Sequence, residues 1–390
     1  MKISTERFYM SDYKIPFNKV TLTGYELDNV SSSINSGKIS GNGPFTKKCQ
    51  SFFEETLDVK KAILTTSCTH ALEMAALLFD VDEGDEFIIP SFTFVSTANS
   101  FLLRGAKPVF CDIRSDTLNI DESKIESLVT SKTKAIIPVH YAGVGCEMES
   151  IMEIASKHNL KVVEDNAHGL FGKYKGKHLG TFGQLGTLSF HETKNFTCGE
   201  GGALLINDLS YAKRAEIIWE KGTNRSLFFR GEVDKYTWVD KGSSYLPSDV
   251  LAALLSTQLE SYKIIQEKRS KIWNFYFNSL SSWADKNNAT LPFVPDYCEQ
   301  AFHLFYILLP SSKSRDDFIN HMKEQRIQCS FHYLPLHLSD MGLKFHNSSS
   351  DCLVTEKTAS RLVRLPFYNS LTDDDLRTVV DAVCSFSVED

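Results

Sequence analysis

Lys194 follows a short apolar run, Gly186–Phe190, and precedes the glycine-rich Gly199-Glu200-Gly201-Gly202. A lysine just past a buried strand, in a stretch short of other cations, is a candidate Schiff-base nucleophile, because partial burial lowers an amine's pKa and frees its lone pair. Most lysines are solvated surface groups, and the position alone leaves that plainer reading open. His191 and Glu192 do not make a zinc motif, since no second histidine follows at helical spacing. Asp165 closes the apolar run Lys161–Asp165. A carboxylate there could hold a proton on a heteroaromatic nitrogen, or could simply start a turn. His168, three residues on, could reach a ring substituent or pack half-buried. In Thr65-Thr66-Ser67-Cys68-Thr69-His70, small hydroxyl residues end one run and open a helical stretch. Free backbone N–H groups and the positive helix end would there face a phosphate, or the segment would be a plain N-cap.

Taken together, a phosphate cradle, a carboxylate for a ring nitrogen and a lysine for an aldehyde are what pyridoxal phosphate requires. Phe94, in Pro90-Ser91-Phe92-Thr93-Phe94-Val95-Ser96-Thr97, lies just beyond another apolar run and could stack on the ring or pack in the core. Other phosphate loops are absent: there is no GxxxxGK[ST]. Gly41-Asn42-Gly43 and Gly143-Val144-Gly145 lack the third glycine of a dinucleotide fingerprint.

These residues need a parallel sheet to position them. Short apolar runs at Ala62–Thr65, Glu86–Pro90, Pro108–Asp112, Lys134–His140, Lys161–Asp165, Gly186–Phe190 and Ala203–Asn207 alternate with helical stretches such as His70–Leu78 and Glu147–His158. Several read as continuous Val/Ile/Leu segments, as strands covered on both faces do. The pattern predicts an α/β fold with ligands at the carboxyl ends of its strands. After Gly242 the texture changes. A long helical period over Ser248–Leu280 is interrupted near Ser256 and Ser261. Strands are expected at Ala301–Leu309 and Gln328–His332, and helices at Ser314–Gln325 and Thr355–Leu362. A large domain over 15–247 and a smaller α/β domain over 248–390 are expected.

The 390 residues are 42% hydrophobic and 23% charged, ordinary values for a chain with a sizeable core and unlike a disordered one. The net charge of −7 disfavours nucleic acid as a partner. No apolar run reaches the length of a membrane span, and the first residues lack the apolar stretch of a signal peptide. Nine scattered cysteines with no CxxC pair suit a reducing compartment, so a cytoplasmic protein is expected.

The chain resembles the sugar-nucleotide aminotransferases of the DegT/DnrJ/EryC1/StrS family over nearly its whole length, from Ile15-Pro16-Phe17 to the final helix. Ser36-Gly37-Lys38, Pro90–Asn99, Leu103-Arg104-Gly105-Ala106-Lys107, Pro138–Gly143, Ser189–Asn195, Gly222-Thr223-Asn224-Arg225-Ser226, Phe228–Trp238 and Gly242–Leu246 carry the likeness. The resemblance implies an aspartate-aminotransferase-type fold (PLP fold type I), with a large mostly parallel sheet domain and a smaller C-terminal α/β domain. It implies that Lys194 bonds the cofactor, that Asp165 meets the pyridine nitrogen and that Phe94 stacks on the ring. Ser67, Cys68, Thr69 and Ser189 match the phosphate-binding positions. His168 stands where the family has glutamine or histidine near the cofactor's phenolic oxygen. Many relatives have an asparagine in the segment matching Gly242–Tyr245 that crosses a dimer interface. This chain has serines, and Ser244 is the expected substitute in a homodimer. Arg230, His332 and Tyr333 are the expected sugar-nucleotide contacts.

Within the family the resemblance is strongest to members that act on dTDP-4-oxo-6-deoxy-D-glucose. It implies transfer of an amino group from L-glutamate to C4, giving dTDP-4-amino-4,6-dideoxy-D-galactose for a surface polysaccharide such as O-antigen. A gluco epimer, a C3 ketone or a GDP-sugar remain as alternatives of the same class. Members that are 3-dehydratases replace the lysine with histidine, and Lys194 argues against that reaction. A non-catalytic scaffold would not need Lys194 and Asp165 intact.

Overall fold

Seven strands form the central sheet of the computed structural model, which describes residues 13–345 and 351–388. They are β1 (Lys61–Thr65), β2 (Glu86–Pro90), β3 (Lys107–Cys111), β4 (Thr133–Ile136), β5 (Lys161–Asp165), β6 (Leu185–Ser189) and β7 (Gly202–Ile206). Their order is β1-β7-β6-β5-β4-β2-β3. Only β7 runs antiparallel to its neighbours, pairing Thr65 and Ser189 with Gly202 on its two sides. In β1, β2 and β5 every position after the first is buried, which is why these segments read as continuous apolar runs. The chain passes from β2 outward to β3 and returns to β4 on the other side of β2, so the winding reverses there. A crevice at the carboxyl ends of the strands follows from that reversal.

Six of the seven expected strands agree to within one residue at each end. The run expected to reach His140 stops at Ile136, because Pro138 has no N–H for the ladder. Helix α1 (Cys68–Leu78) follows β1, and α2 (Val95–Leu102) follows the loop after β2. The expected long helix is two helices, α3 (Asp249–Glu260) and α4 (Tyr262–Lys286), parted at Ser261 alone. Ser256 sits inside α3, its hydroxyl bonded to Glu260 Oε1 at 3.4 Å.

Helix α3 buries Ala252, Leu255 and Leu259 with Phe53, Leu188 and Phe190, against the sheet. Helix α4 buries Ile272, Trp273, Tyr276 and Leu280 in a second core with Phe305, Ile307, Phe318 and Val379. That core holds a two-stranded antiparallel ribbon, β8 (Tyr306–Leu308) and β9 (Leu362–Arg364). The strand expected over Ala301–Leu309 is shorter because Phe302 adopts a positive φ of 50°. Gln328–His332 makes one bridge, Ser330 to Arg364, rather than a strand. The helix expected to reach Leu362 ends at Ala359, and Leu362 opens β9.

Two polar ties hold segments of this second region onto the sheet's carboxyl edge. Asp112, just past β3, accepts from the Val354 and Thr355 amides at 3.0 and 2.8 Å and from the Thr355 hydroxyl. Ser91, just past β2, meets His337 Nδ1 at 2.6 Å, and its carbonyl accepts from the Leu336 amide. The chain from Phe331 to Leu334 is thereby laid over the strand ends. Among the described residues no helix is long and apolar enough to cross a membrane.

Candidate active site

A cavity of ≈ 690 Å³ opens at the carboxyl ends of β1, β2, β5 and β6. Ser67, Cys68, Thr69, Phe94, Asp165, His168, Ser189, Lys194, His332 and Tyr333 all line it. Residues spread over 267 positions of sequence thus meet at one place, because parallel strands bring their ends to one edge.

At one end β1 turns into α1. Ser67 caps the helix, its Oγ accepting from the His70 amide at 3.1 Å. The amides of Cys68 and Thr69 belong to the first turn, which has no intrahelical acceptors. The N-cap and anion-site readings of this segment are therefore compatible. Thr69 donates to Ser96 Oγ at 2.8 Å, adding another hydroxyl to the rim. Burial pushes the Cys68 thiol well above its ordinary range, so it stays protonated and is no nucleophile. Gly202 makes the turn possible: a Cβ there would lie 2.3 Å from Ser67 C and 2.4 Å from Cys68 N.

Asp165, the last residue of β5, is 5% exposed. Its Oδ2 accepts from Thr97 Oγ1 at 2.7 Å and its Oδ1 from the Ala167 amide at 3.2 Å. Burial raises its pKa, opposed by those two bonds and by the charges of Lys194 and His140. A buried carboxylate of this kind is stabilised by a cationic N–H in front of it. Lys194 lies on the loop after β6, which is pinned by Phe190 N–H to Gly201 O and Cys198 N–H to Phe190 O. Burial pushes the lysine's pKa down to about 8, with Cys68 and Asp165 opposing the shift. A useful fraction of the amine is therefore neutral near physiological pH.

Around the lysine stand three imidazoles. His168 stacks on His303 with centroids 4.1 Å apart, and its plane is within 2° of His332, 6.2 Å away. Its Nε2 faces the Tyr333 hydroxyl at 3.4 Å, while its buried Nδ1 has no partner. Burial, with Lys194 and Arg364 nearby, holds all three well below the ordinary histidine range. His332 bonds the Tyr141 hydroxyl through Nδ1 at 3.2 Å and stacks on Tyr333. Phe94 is 57% exposed on the cavity wall, which excludes a core-packing role.

The residues fit pyridoxal phosphate. Amides and hydroxyls at the start of α1 suit its phosphate, Asp165 its ring nitrogen, Lys194 its aldehyde, and the unpartnered Nδ1 of His168 a polar ring substituent. Two expected contacts lie outside this cavity in their own chain. Ser244 bridges Glu220, and Arg230 is paired with Glu216 and Glu232 at 2.8 and 2.5 Å. Thr97, His303 and Arg364 also line the cavity and carried no motif in the sequence; Thr97 alone sat in a segment already of interest.

The sequence model of the DegT/DnrJ/EryC1/StrS aminotransferase family matches residues 21–384. The spore coat polysaccharide biosynthesis protein SpsC of Bacillus subtilis is 32% identical over 95% of this chain and 96% of its own. The GDP-perosamine synthase of Escherichia coli O157:H7 is 31% identical over 95% and 98%. The putative sugar aminotransferase Spr1654 of Streptococcus pneumoniae, solved in its PLP form, superposes with a TM-score of 0.88 at 25% identity, over 96% of this chain and 98% of that one. It has also been solved in its PMP form.

Proposed function

This chain belongs to the DegT/DnrJ/EryC1/StrS aminotransferase family, and from that premise we propose that it aminates C4 of dTDP-4-oxo-6-deoxy-D-glucose, using L-glutamate and releasing dTDP-4-amino-4,6-dideoxy-D-galactose. The protein is a pyridoxal-phosphate-dependent sugar aminotransferase with the type I fold. One observation carries the mechanism: Lys194 and Asp165 face a single cavity beside the free amides of α1. The choice of C4 and of dTDP rests on the sequence likeness of the stretches from Ser36-Gly37-Lys38 to Gly242–Leu246 given above.

When bound, pyridoxal phosphate would supply an acceptor for the amino group and an electron sink for the carbon that loses its proton. Asp165 keeps its ring nitrogen protonated, and the hydroxyl of Thr97 keeps that carboxylate aimed. Lys194 Nζ removes the α-proton of the amino donor and later delivers a proton to the sugar carbon. Ser67, Cys68, Thr69 and Ser189 hold the phosphate by hydroxyls and amides. Phe94 would cover the ring, and His168 would meet the phenolic oxygen. His332 and Tyr333 contact the sugar.

A homodimer belongs to the same reading. Phe229 and Trp238 are 72% and 77% exposed in the segment that carries Arg230. A second copy covering that segment would bring its Arg230 and Ser244 toward a neighbour's cavity. Sedimentation of the holoenzyme as a monomer would end this part of the proposal.

A second reading keeps the chemistry and changes the nucleotide. The relative at 31% identity is a GDP-perosamine synthase, which favours a GDP-sugar as the alternative acceptor. Incubating the holoenzyme with glutamate and, separately, the dTDP- and GDP-linked 4-oxo-6-deoxyhexoses decides between them. NMR of the product assigns the aminated carbon and its epimer. Amination of neither, or loss of no activity in Lys194→Ala, would overturn the proposal.

A further inference from the structure

The two ring nitrogens of His168 have different surroundings. Nδ1 is buried without a partner on a side chain of the cavity wall. Nε2 faces the Tyr333 hydroxyl at 3.4 Å, and among the described residues that hydroxyl meets no other acceptor. Both rings are held in place. His168 stacks on His303 at 4.1 Å, while Tyr333 stacks on His332 at 3.9 Å and packs edge-on to Phe92 at 5.6 Å. Tyr333 belongs to the second region, and its segment is fixed over the strand ends by the Leu336 amide on Ser91 O and the His337 ring on Ser91 Oγ. The hydroxyl and the imidazole therefore meet because one region closes on the other.

A neutral imidazole has one N–H, so one nitrogen donates and the other accepts. Burial keeps His168 neutral, with Lys194, His303, His332 and Arg364 acting in the same direction. Burial and Asp165 keep the Tyr333 phenol protonated against the charge of Arg364. A phenol O–H that donates to Nε2 places the imidazole's own proton on Nδ1. The reverse arrangement would leave the phenol's hydrogen without an acceptor and Nδ1 with a bare lone pair. A lone pair there would repel the anionic phenolic oxygen of pyridoxal phosphate, whereas an N–H would bind it. We infer that Tyr333 is a positioning residue whose hydroxyl fixes the tautomer of His168, so that Nδ1–H is presented to the cofactor's phenolic oxygen. The inference rests on the pyridoxal phosphate reading of the cavity and not on which sugar is aminated. The ring of Tyr333 stays on the cavity wall, so a sugar contact uses a different part of the same side chain.

A donor on the phenolic oxygen draws negative charge away from the nitrogen that joins Lys194 to the cofactor and makes that nitrogen less basic. Tyr333→Phe keeps the ring and its stacking and removes only the hydroxyl. His168→Gln puts an amide N–H in place of the imidazole, with no tautomer to set. The test titrates the bound cofactor's absorbance against pH, without substrate, in wild-type holoenzyme, both single variants and the double variant. Lys194, Asp165, His303, His332, Arg364 and Tyr141 face this pair and are common to all four proteins. In Tyr333→Phe the midpoint should rise by about 0.4 to 1 pH unit, roughly a two- to tenfold change in that protonation equilibrium. In the His168→Gln background the same substitution should move it by less than about 0.2 unit. An unchanged midpoint in Tyr333→Phe overturns the inference even if the KM for the sugar rises, because the tyrosine is then a sugar contact only. An equal rise in both backgrounds also overturns it, since Tyr333 would then act without His168. If wild-type protein takes up no pyridoxal phosphate, the reading of the cavity fails first, independently of Tyr333.

Discussion

The rings of His168 and His303 lie 4.1 Å apart and within 24° of parallel, directly beside Lys194. Two stacked imidazoles cannot both carry charge at that separation, and burial with the nearby lysine and Arg364 keeps both neutral. His303 is aimed by its Nδ1, which meets Asn195 Oδ1 at 2.8 Å, while Asn195 Nδ2 donates to Ala301 O. The residue after the lysine therefore sets the ring that backs His168.

That geometry predicts a pH signature. In the wild type neither imidazole should titrate between pH 6 and 8. Asn195→Asp places an anion against His303 Nδ1, which favours the imidazolium and raises its pKa. An acid limb should then appear in the pH profile of kcat/KM, with activity falling as pH drops through that range. A profile unchanged from wild type would show that His303 is not coupled to the reaction.

Lys194 makes a stability prediction for the chain without cofactor. The folded amine titrates near 8, whereas an unfolded lysine titrates near 10.4. Between those values the unfolded chain binds more protons, so stability should rise with pH across that window. Below pH 8 the folded chain bears the cost of a desolvated cation. Lys194→Met should therefore be more stable than wild type at pH 7, by about 1–3 kcal/mol, and lose that pH dependence. Urea denaturation at pH 7 and 10 measures both.

The strands and the three chemistry-bearing segments were legible because each is local. A buried parallel strand writes itself as an apolar run, and Asp165, Lys194 and Ser67 each sit within five residues of a run's end. His303 and Arg364 were not legible. They reach the cavity only because the second core folds back over the sheet, through contacts such as Ser91 with His337 and Asp112 with Thr355. No periodicity announces such a long-range tie. The short strands there failed for a related reason: a positive φ at Phe302 and a single bridge at Ser330 follow from tertiary fit, not propensity. Phe94 read ambiguously because an aromatic past a strand end serves equally in a core or on a wall.

Thr97 tests how much Asp165 depends on its neighbour. The hydroxyl donates at 2.7 Å to a carboxylate whose pKa burial raises, and it opposes that rise. Hydrogen bonds to charged groups contribute about 1.5–3 kcal/mol. Thr97→Val keeps the shape and removes the donor, so the carboxyl pKa should climb. The donor half-reaction should slow by roughly 10- to 100-fold on that scale, against a larger loss in Asp165→Asn, which removes the charge itself. Equal rates for Thr97→Val and wild type would show that the Ala167 amide alone holds the carboxylate in place.

Gly202 and Gly201 form a matched pair for the phosphate end of the cavity. A Cβ at Gly202 would lie 2.3 Å from Ser67 C, 2.4 Å from Cys68 N and 2.5 Å from Ser67 O, all backbone of the turn that opens α1. None of those atoms can rotate away, so the turn itself must move. At Gly201 the tight contact is Cys198 Sγ at 2.6 Å, a side chain, with the next atoms at 3.4 Å or beyond. Gly202→Ala should therefore weaken pyridoxal phosphate binding by at least tenfold and also cost about 1–3 kcal/mol of stability through overpacking. Gly201→Ala should retain binding within a few-fold. Absorbance titration of the apoprotein with cofactor, alongside urea midpoints, distinguishes the two. If both variants bind alike, the first turn of α1 is not what holds the phosphate.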